Sequence, residues 1–183
     1  LRQMVADFAR REVDPQAAEF DAKGVLNLPL FRRLGDLGLL GITIPDADGG
    51  AGLDASAAVL VHHELAKYDP GFTLAYLAHA MLFVNNFYHC SNAEQKARYL
   101  PKVLSGEWVA GMGMTEPGAG TDVLGMTTTA VRSGDHFIVN GTKTYITNGV
   151  EGFCFLVYAK VDGRLTAFVI DRDCPGFTTS NHI

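Results

Sequence analysis

The stretch MGMTEPGAGTD, residues 112–122, separates two halves of the chain that have different residue patterns. It follows a short apolar run and gathers two hydroxyls, two carboxylates, a proline and several glycines in one loop. Such a loop offers bare backbone N–H groups and short side-chain donors, which suit a phosphate group or a flat heterocycle. The ligand of this loop would therefore decide the function of the protein.

The half that precedes the loop has the periodicity of helices. A capping box at Ser91-Asn92-Ala93-Glu94 starts the last of five predicted helices. Apolar residues recur at helical spacing in the other four segments, which are residues 1–9, 30–37, 59–66 and 74–84. The segment 74–84 is apolar on all sides, which predicts a central position in the bundle.

Proline, glycine and capping residues predict where these helices begin and end. Pro15 follows the first pattern and Gly38 the second, so each is expected to end a helix. Asp54 or Ser56 is expected to cap the third helix, and Pro101 to kink or break the fifth.

The half that follows the loop has the pattern of strands. Turn sequences occur at Ser133-Gly134-Asp135, Asn140-Gly141 and Asn148-Gly149. The runs between and beyond them are residues 127–132, 136–139, 142–147, 153–160, 165–170 and 177–180. Their spacing predicts an antiparallel sandwich or a barrel-like domain.

Helices followed by strands indicate the α+β class. We expect an all-α bundle domain over residues 1–107 and a β domain over residues 108–183. About six strands are few for two covered sheets, so the β domain looks incomplete. Because the chain also opens on Leu1 in a helical pattern, we expect a fragment that continues past Ile183.

The composition argues against several classes of function. The formal net charge is −5 and no run of basic residues occurs, which argues against nucleic-acid binding. Three separated cysteines form no CxxC pair, so a reduced, cytoplasmic protein is expected rather than a disulfide framework or a zinc site. No apolar run reaches the roughly 18 residues of a membrane span.

Other catalytic and metal-binding patterns fail on spacing. The stretch Asp46–Gly50 starts like a calcium loop, but Ala57 stands where a bidentate Glu is needed. His62 and His63 are adjacent, so on a helix they point about 100° apart and cannot share a metal. Nucleophile-elbow, dinucleotide and Walker patterns are also missing from the sequence.

Glu116 and Asp122 are the two carboxylates of the loop, and they could serve as an acid–base pair. The structural alternative is that Asp122 caps the following turn while Glu116 forms an ion pair or hydrogen bond. We favour the structural alternative for both residues.

A second segment could form a ligand site together with the loop. It is Lys143-Thr144-Tyr145-Ile146-Thr147-Asn148-Gly149. On an alternating strand Tyr145 and Thr147 share one face. An aromatic ring beside a hydroxyl suits a flat ligand with polar edges, because the ring stacks and the hydroxyl meets a heteroatom. A Tyr/Thr pair without a ligand is the alternative, and the co-occurrence of the two segments argues against it.

Both segments resemble the signatures of the acyl-CoA dehydrogenase family. Residues 114–122 are similar to its motif with Thr or Ser-Glu-Pro and Gly-Ser-Asp, and residues 140–149 to Asn-Gly-x-Lys-x-Trp-Ile-Thr-Asn. Gly41–Pro45 with Gly49-Gly50, and Glu94–Lys96 through Leu100-Pro101, also match in order. The family has an N-terminal helical domain, a middle β domain and a C-terminal four-helix domain, and the third would be absent here.

The resemblance implies an FAD site. Met112, Met114 and Thr115 would run beside the isoalloxazine, and Thr147 would bond its N5 and O4 region. Thr121 stands where the family usually has Ser, near the FAD pyrophosphate and the acyl-CoA, and Tyr145 stands where Trp usually covers the ring. The implied cofactor-binding set is Met112, Met114, Thr115, Gly120, Thr121, Tyr145, Ile146 and Thr147, with Thr121 also binding substrate.

The implied reaction is α,β-dehydrogenation of an acyl-CoA thioester, with hydride transfer to flavin N5. The family's base is a Glu of the C-terminal domain, so no residue of this chain, Glu116 included, is assigned as catalytic. An electron-transfer flavoprotein would accept the electrons, and the intact protein would be a homodimer or homotetramer. With Gly113 and Met114, the departures at Thr121 and Tyr145 suggest glutaryl-CoA or cyclic-acyl-CoA relatives.

Two alternatives remain open at this point. The chain could be a truncated, non-catalytic module without flavin, and by itself it is expected to be inactive and to hold FAD weakly or not at all. It could also belong to an oxidase or flavin monooxygenase that uses the same platform.

Overall fold

Helices occupy the chain up to Leu104 and strands follow from Ala110 onward, in a computed structural model that describes residues 1–180. The helices are α1 Arg2–Phe8, α2 Asp14–Lys23, α3 Leu28–Asp36, α4 Ala55–Ala66, α5 Pro70–Leu77, α6 Asn86–Cys90 and α7 Ala93–Leu104. Two π-helical segments, Ala9–Val13 and Ala78–Asn85, join α1 to α2 and α5 to α6. Short 3₁₀ turns lie at Asp46–Asp48 and Val123–Gly125.

None of the helices within residues 1–180 is long and apolar enough to cross a membrane.

Local side-chain hydrogen bonds explain where these helices start. The Asp54 carboxylate accepts from the Ala57 N–H at 2.9 Å, which caps α4 and resolves the choice between Asp54 and Ser56. At α7 the capping box is confirmed, with Asn92 and Gln95 as its two members, one residue later than the sequence pattern indicated. The predicted stop at Gly38 is also confirmed, since α3 ends at Asp36 and Gly38 has φ +71°.

Pro15 and Pro101, which were expected to end or break helices, both lie within helices. Pro15 occupies the first turn of α2, where its missing N–H has no intrahelical partner to lose, so the helix resumes directly after the π-helical segment. Pro101 lies in the last turn of α7, which continues to Leu104. Burial of Leu100 and Val103 on the same turn stabilises it against the lost hydrogen bond.

The helical half buries one continuous apolar core. Tyr76 of α5 is fully buried and donates its hydroxyl to the Leu39 carbonyl at 2.9 Å. The segment 74–84 is central as expected, because most of its residues contact either this core or the sheet. The core comprises, among others, Val5, Phe8, Val13, Phe31, Leu34, Leu40, Val61, Leu65, Phe72 and Tyr76.

The strands form one open, mixed sheet. They are β1 Ala110–Gly113, β2 Thr129–Ser133, β3 His136–Asn140, β4 Cys154–Val161 and β5 Arg164–Asp171. The order is β1-β4-β2-β3, and β5 also pairs with β4. The β2–β3 and β4–β5 pairs are antiparallel, but β1 runs parallel to β4 with Ala110 opposite Cys154.

The α+β class is confirmed, whereas the expectation of purely antiparallel pairing is wrong. The sequence pattern missed β1 because two of its four residues are glycine, which strands disfavour. The long connection from Met114 to Phe153 returns the chain so that β4 can pair with β1 in parallel.

Two further predicted strands do not form among the described residues. Residues 142–147 are irregular and residues 177–180 make no ladder. Tyr145 and Asn148 adopt φ +56° and +65°, which interrupts an extended backbone. The Asn148-Gly149 turn is confirmed, with the Gly149 N–H donating to the Ile146 carbonyl at 2.9 Å.

Candidate flavin site

The loop that follows β1 begins with a tight turn. The Glu116 N–H donates to the Ala119 carbonyl at 2.9 Å, and the Ala119 N–H donates back to the Glu116 carbonyl at 3.1 Å. Beyond it, the Asp122 carboxylate accepts from the Gly125 N–H at 3.1 Å and so caps the 3₁₀ turn. The structural interpretation of Asp122 is confirmed.

Glu116 is held by five donors beneath the loop. Its carboxylate accepts from the N–H and hydroxyl of Thr127 and of Thr128, and from the Lys143 ammonium at 2.9 Å. Burial alone would raise the pKa of the Glu116 carboxyl, but the bonds from Thr128, Lys143 and Thr127 outweigh it and hold the pKa well below its usual range. Glu116 is therefore a structural anion, as expected.

The segment after β3 lies directly across β1 and the loop. The Lys143 Nζ donates to the Met114 carbonyl at 3.0 Å, and the Thr144 N–H donates to the Thr115 carbonyl at 2.9 Å. A Cβ at Gly111 would lie 2.7 Å from the Thr147 carbonyl oxygen, so this close approach requires glycine. The two motifs recognised in the sequence are thus joined by backbone contacts.

Six of the predicted residues line one cleft of about 130 Å³. They are Met112, Met114, Thr115, Tyr145, Ile146 and Thr147, and the helical residues Ala78 and Leu82 complete the wall. The expected reason for this convergence is wrong, since Tyr145 and Thr147 lie on an irregular segment rather than on one face of a strand. Tyr145 is 75% exposed, so the cleft is open beside its ring and accessible to a flat ligand.

Gly120 and Thr121 lie outside this cleft, on the exposed part of the loop. Within residues 1–180, their backbone N–H groups donate to no protein acceptor. A Cβ added at Gly118 or Gly120 would meet no atom within 4 Å, and neither glycine has a positive φ. The fold itself therefore does not require glycine there, and free donors beside open space suit an approaching phosphate.

Sequence reasoning missed the residues that support the cleft. Asn148 is buried, and its amide donates to the Ala75 carbonyl at 3.0 Å and to the Ala110 carbonyl at 2.9 Å. It thereby fixes the segment next to Thr147 against both α5 and β1. The Asn-Gly dipeptide predicts a turn, but nothing in the sequence indicates these distant acceptors.

A larger cleft, of about 720 Å³, lies away from both motifs, between residues 47–49 and α7. Its wall is mostly small or apolar, with Asp48 and Lys96 among the polar residues. Because it contains neither motif nor a cluster of donors, the smaller cleft is the better candidate for the cofactor.

Family models match both halves of the chain. The N-terminal domain of acyl-CoA dehydrogenases matches residues 1–107, and the middle domain of the same enzymes matches residues 111–182. The chain therefore belongs to the acyl-CoA dehydrogenase family, and the resemblance seen in its motifs is confirmed.

Individual relatives agree with this assignment. The chain is 41% identical over 192 residues to the mitochondrial isovaleryl-CoA dehydrogenase of Pongo abelii, an alignment that covers 100% of this chain and 45% of the relative. A glutaryl-CoA dehydrogenase from Mycobacterium smegmatis in complex with FADH2 superposes with a TM-score of 0.92 at 32% identity, covering 97% of this chain and 46% of that one.

A solved structure described as the electron transferring flavoprotein of Acidaminococcus fermentans contains a chain that matches with a TM-score of 0.93 at 35% identity. That match covers 98% of this chain and 49% of the other. The chain thus spans about half the length of the relatives it matches.

Proposed function

We propose that this chain forms the flavin platform of an FAD-dependent acyl-CoA dehydrogenase. The observation that carries the proposal is the convergence of Met112, Met114 and Thr115 with Tyr145, Ile146 and Thr147 on one open cleft. The superposable glutaryl-CoA dehydrogenase that holds FADH2 supports the same assignment. In this proposal residues 1–107 form the helical domain and residues 108–183 the platform.

Each part of the cleft suits a different part of FAD. The thioether of Met112 and the exposed ring of Tyr145 offer apolar surface to the isoalloxazine, while the hydroxyls of Thr115 and Thr147 can donate to its polar edge. The N–H groups of Gly120 and Thr121 would hold the pyrophosphate. Thr121 would also contact the acyl-CoA.

The proposed reaction is α,β-dehydrogenation of an acyl-CoA thioester, for which bound FAD supplies the hydride acceptor at N5. The residues of this chain orient the cofactor and keep its polar edge hydrogen-bonded. Glu116 cannot act as the base, because its carboxylate is already saturated by five donors. In this proposal the base would be a Glu of a C-terminal domain, an electron-transfer flavoprotein would accept the electrons, and the intact protein would be a homo-oligomer.

The first prediction tests the platform with Gly120→Ala. Because the added Cβ meets no protein atom, the thermal unfolding midpoint of the free chain should stay unchanged. The affinity for FAD, measured by quenching of flavin fluorescence, should fall about tenfold, since the methyl group occupies the space of the approaching phosphate.

Wild-type chain is expected to bind FAD weakly but saturably, and bound FAD should slow hydrogen exchange in residues 112–121 and 145–147. Absence of both saturation and slowing at millimolar FAD would overturn the platform and favour a module without flavin. A Gly120→Ala chain that keeps full affinity would remove the loop from the site.

A further inference from the structure

Lys143 and Glu116 form an ion pair that is buried far more deeply than an ordinary surface pair. Their side chains are 10% and 3% exposed, with 2.9 Å between Nζ and Oε1. By comparison, the pair of Lys102 and Glu107 is 43% and 52% exposed. A buried pair of this kind contributes little net stability by its Coulombic attraction alone, so its position in the fold calls for another explanation.

The carboxylate does not need Lys143 to be satisfied. Four of the five hydrogen bonds to Glu116 come from Thr127 and Thr128, so each carboxylate oxygen keeps two donors without the lysine. Lys143, in contrast, reaches from the other flavin-facing segment and makes a second bond, to the Met114 carbonyl. The lysine therefore supplies the side-chain link between the two segments, in addition to the backbone bond from Thr144 to Thr115, and Glu116 is its fixed anchor.

The link lies where the shape of the cleft is determined. Met114 and Thr115 line the cleft, and their carbonyls accept respectively from the Lys143 side chain and the Thr144 N–H. One residue further along the chain is Tyr145, whose φ of +56° is unfavourable for an aromatic residue and persists only if its surroundings hold it.

We propose that Lys143, anchored on Glu116, is a latch that holds the segment 143–147 against the loop 114–116 and thereby fixes the width of the flavin cleft. Lys143 is a positioning residue, because it acts on the cofactor through Thr115, Tyr145 and Thr147 rather than by contact. The effect on the cofactor rests on the proposed flavin function, but the latch itself is a property of the chain.

The test compares Lys143→Met with Lys102→Met, which removes the exposed pair. Hydrogen exchange measured without flavin should be about tenfold faster in residues 143–148 of K143M, because two bonds between the segments are lost, and unchanged in K102M. The affinity for FAD should fall about tenfold in K143M and stay unchanged in K102M. The double variant E116Q/K143M removes both buried charges, and it replaces K143M in these measurements if K143M does not fold.

Each readout decides a different part of the proposal. Unchanged exchange in residues 143–148 of both latch variants would overturn the latch, whether or not flavin binds. Faster exchange combined with wild-type FAD affinity would overturn its positioning role. If wild-type chain binds no FAD, the flavin platform fails and with it the positioning role, while the exchange measurement still decides the latch.

Discussion

His79 joins three elements through a single ring. Its Nδ1 accepts from the Ala110 N–H at 3.0 Å, so the proton lies on Nε2, which donates to the Val103 carbonyl at 3.0 Å. The ring is fully buried and meets Phe31 edge-on, with 5.1 Å between centroids. Both nitrogens are occupied in the neutral form, and a proton on Nδ1 would displace the Ala110 N–H.

We therefore predict that stability falls with acidification through His79. Burial lowers the pKa of His79 from 6.5 to about 4, although the bond to Val103 acts in the opposite direction. The unfolded chain then binds the proton first, so the stabilising effect is complete above pH 6.5 and is lost as the pH falls towards about 4. The full loss is roughly 3 kcal/mol, and denaturant unfolding measured across this range checks it.

A single variant isolates this residue. His79→Gln should lower stability at neutral pH and flatten the pH dependence by about one proton. An unaltered slope in H79Q would show that the acid sensitivity comes from carboxylates instead.

At the scale of elements, the decisive contact is the crossing of β1 by the segment 143–149. Gly111 and Gly113 lie on the side of β1 that faces this segment, and a Cβ at either would approach Thr147 or Lys143 within 3.3 Å. Met112 lies on the alternate side and packs against an apolar cluster that contains Phe83 of the helical half and Leu156 of β4. The alternation Gly-Met-Gly-Met thus separates a surface for backbone contact from a surface for the cleft.

From this geometry we predict opposite effects for two alanine substitutions. Gly111→Ala should destabilise the chain by about 1–3 kcal/mol, because its Cβ collides with the Thr147 carbonyl and the packed strand cannot yield. Gly118→Ala should be neutral or slightly stabilising, since its Cβ meets no atom and its φ is not positive. Urea unfolding measures both, and equal midpoints for the two variants would contradict the crossing.

The sequence predicted elements whose formation depends on local contacts. The cap at Asp54, the stop at Gly38 and the hairpin turn around Gly134 depend on residues a few positions away, and all three are present. The strand over residues 142–147 failed because its conformation is set by distant partners. Met114 and Thr115 accept hydrogen bonds from Lys143 and Thr144 of this segment. Ala110 accepts one from Asn148, the next residue after it, and all three acceptors are far away in the sequence.

The same distinction explains the site. Six cleft residues could be named from two motifs, but their convergence depends on Gly111, Lys143 and Asn148, which carry no obvious ligand chemistry. The parallel pairing of β1 with β4 was equally hidden, since register between distant strands leaves no local signal.

For the molecule as a whole, the helical half and the sheet share a second apolar core. Phe83, Phe87 and Leu100 from the helices pack there with Ala110 and Leu156 from the sheet. A polar contact closes its edge, where the Asp171 carboxylate of β5 accepts from the Tyr99 hydroxyl of α7 at 2.7 Å. Asp171 also pairs with Arg98, so the last strand is tied to the last helix.

Because of this shared core, the two halves should unfold together. Trp108, the single tryptophan of the chain, reports on the junction, since it stacks on Phe153 with 4.2 Å between ring centroids. Its fluorescence and the helical circular dichroism should therefore give coincident midpoints in urea.

Asp171→Ala leaves the Tyr99 hydroxyl without its acceptor and should lower both midpoints equally, at a cost of about 1–3 kcal/mol. Asp173→Ala, two residues away and exposed, should change neither. A fluorescence transition that precedes the loss of helix, in wild type or in D171A, would mean that the sheet unfolds as an independent unit and that the shared core does not couple the sheet to the helices.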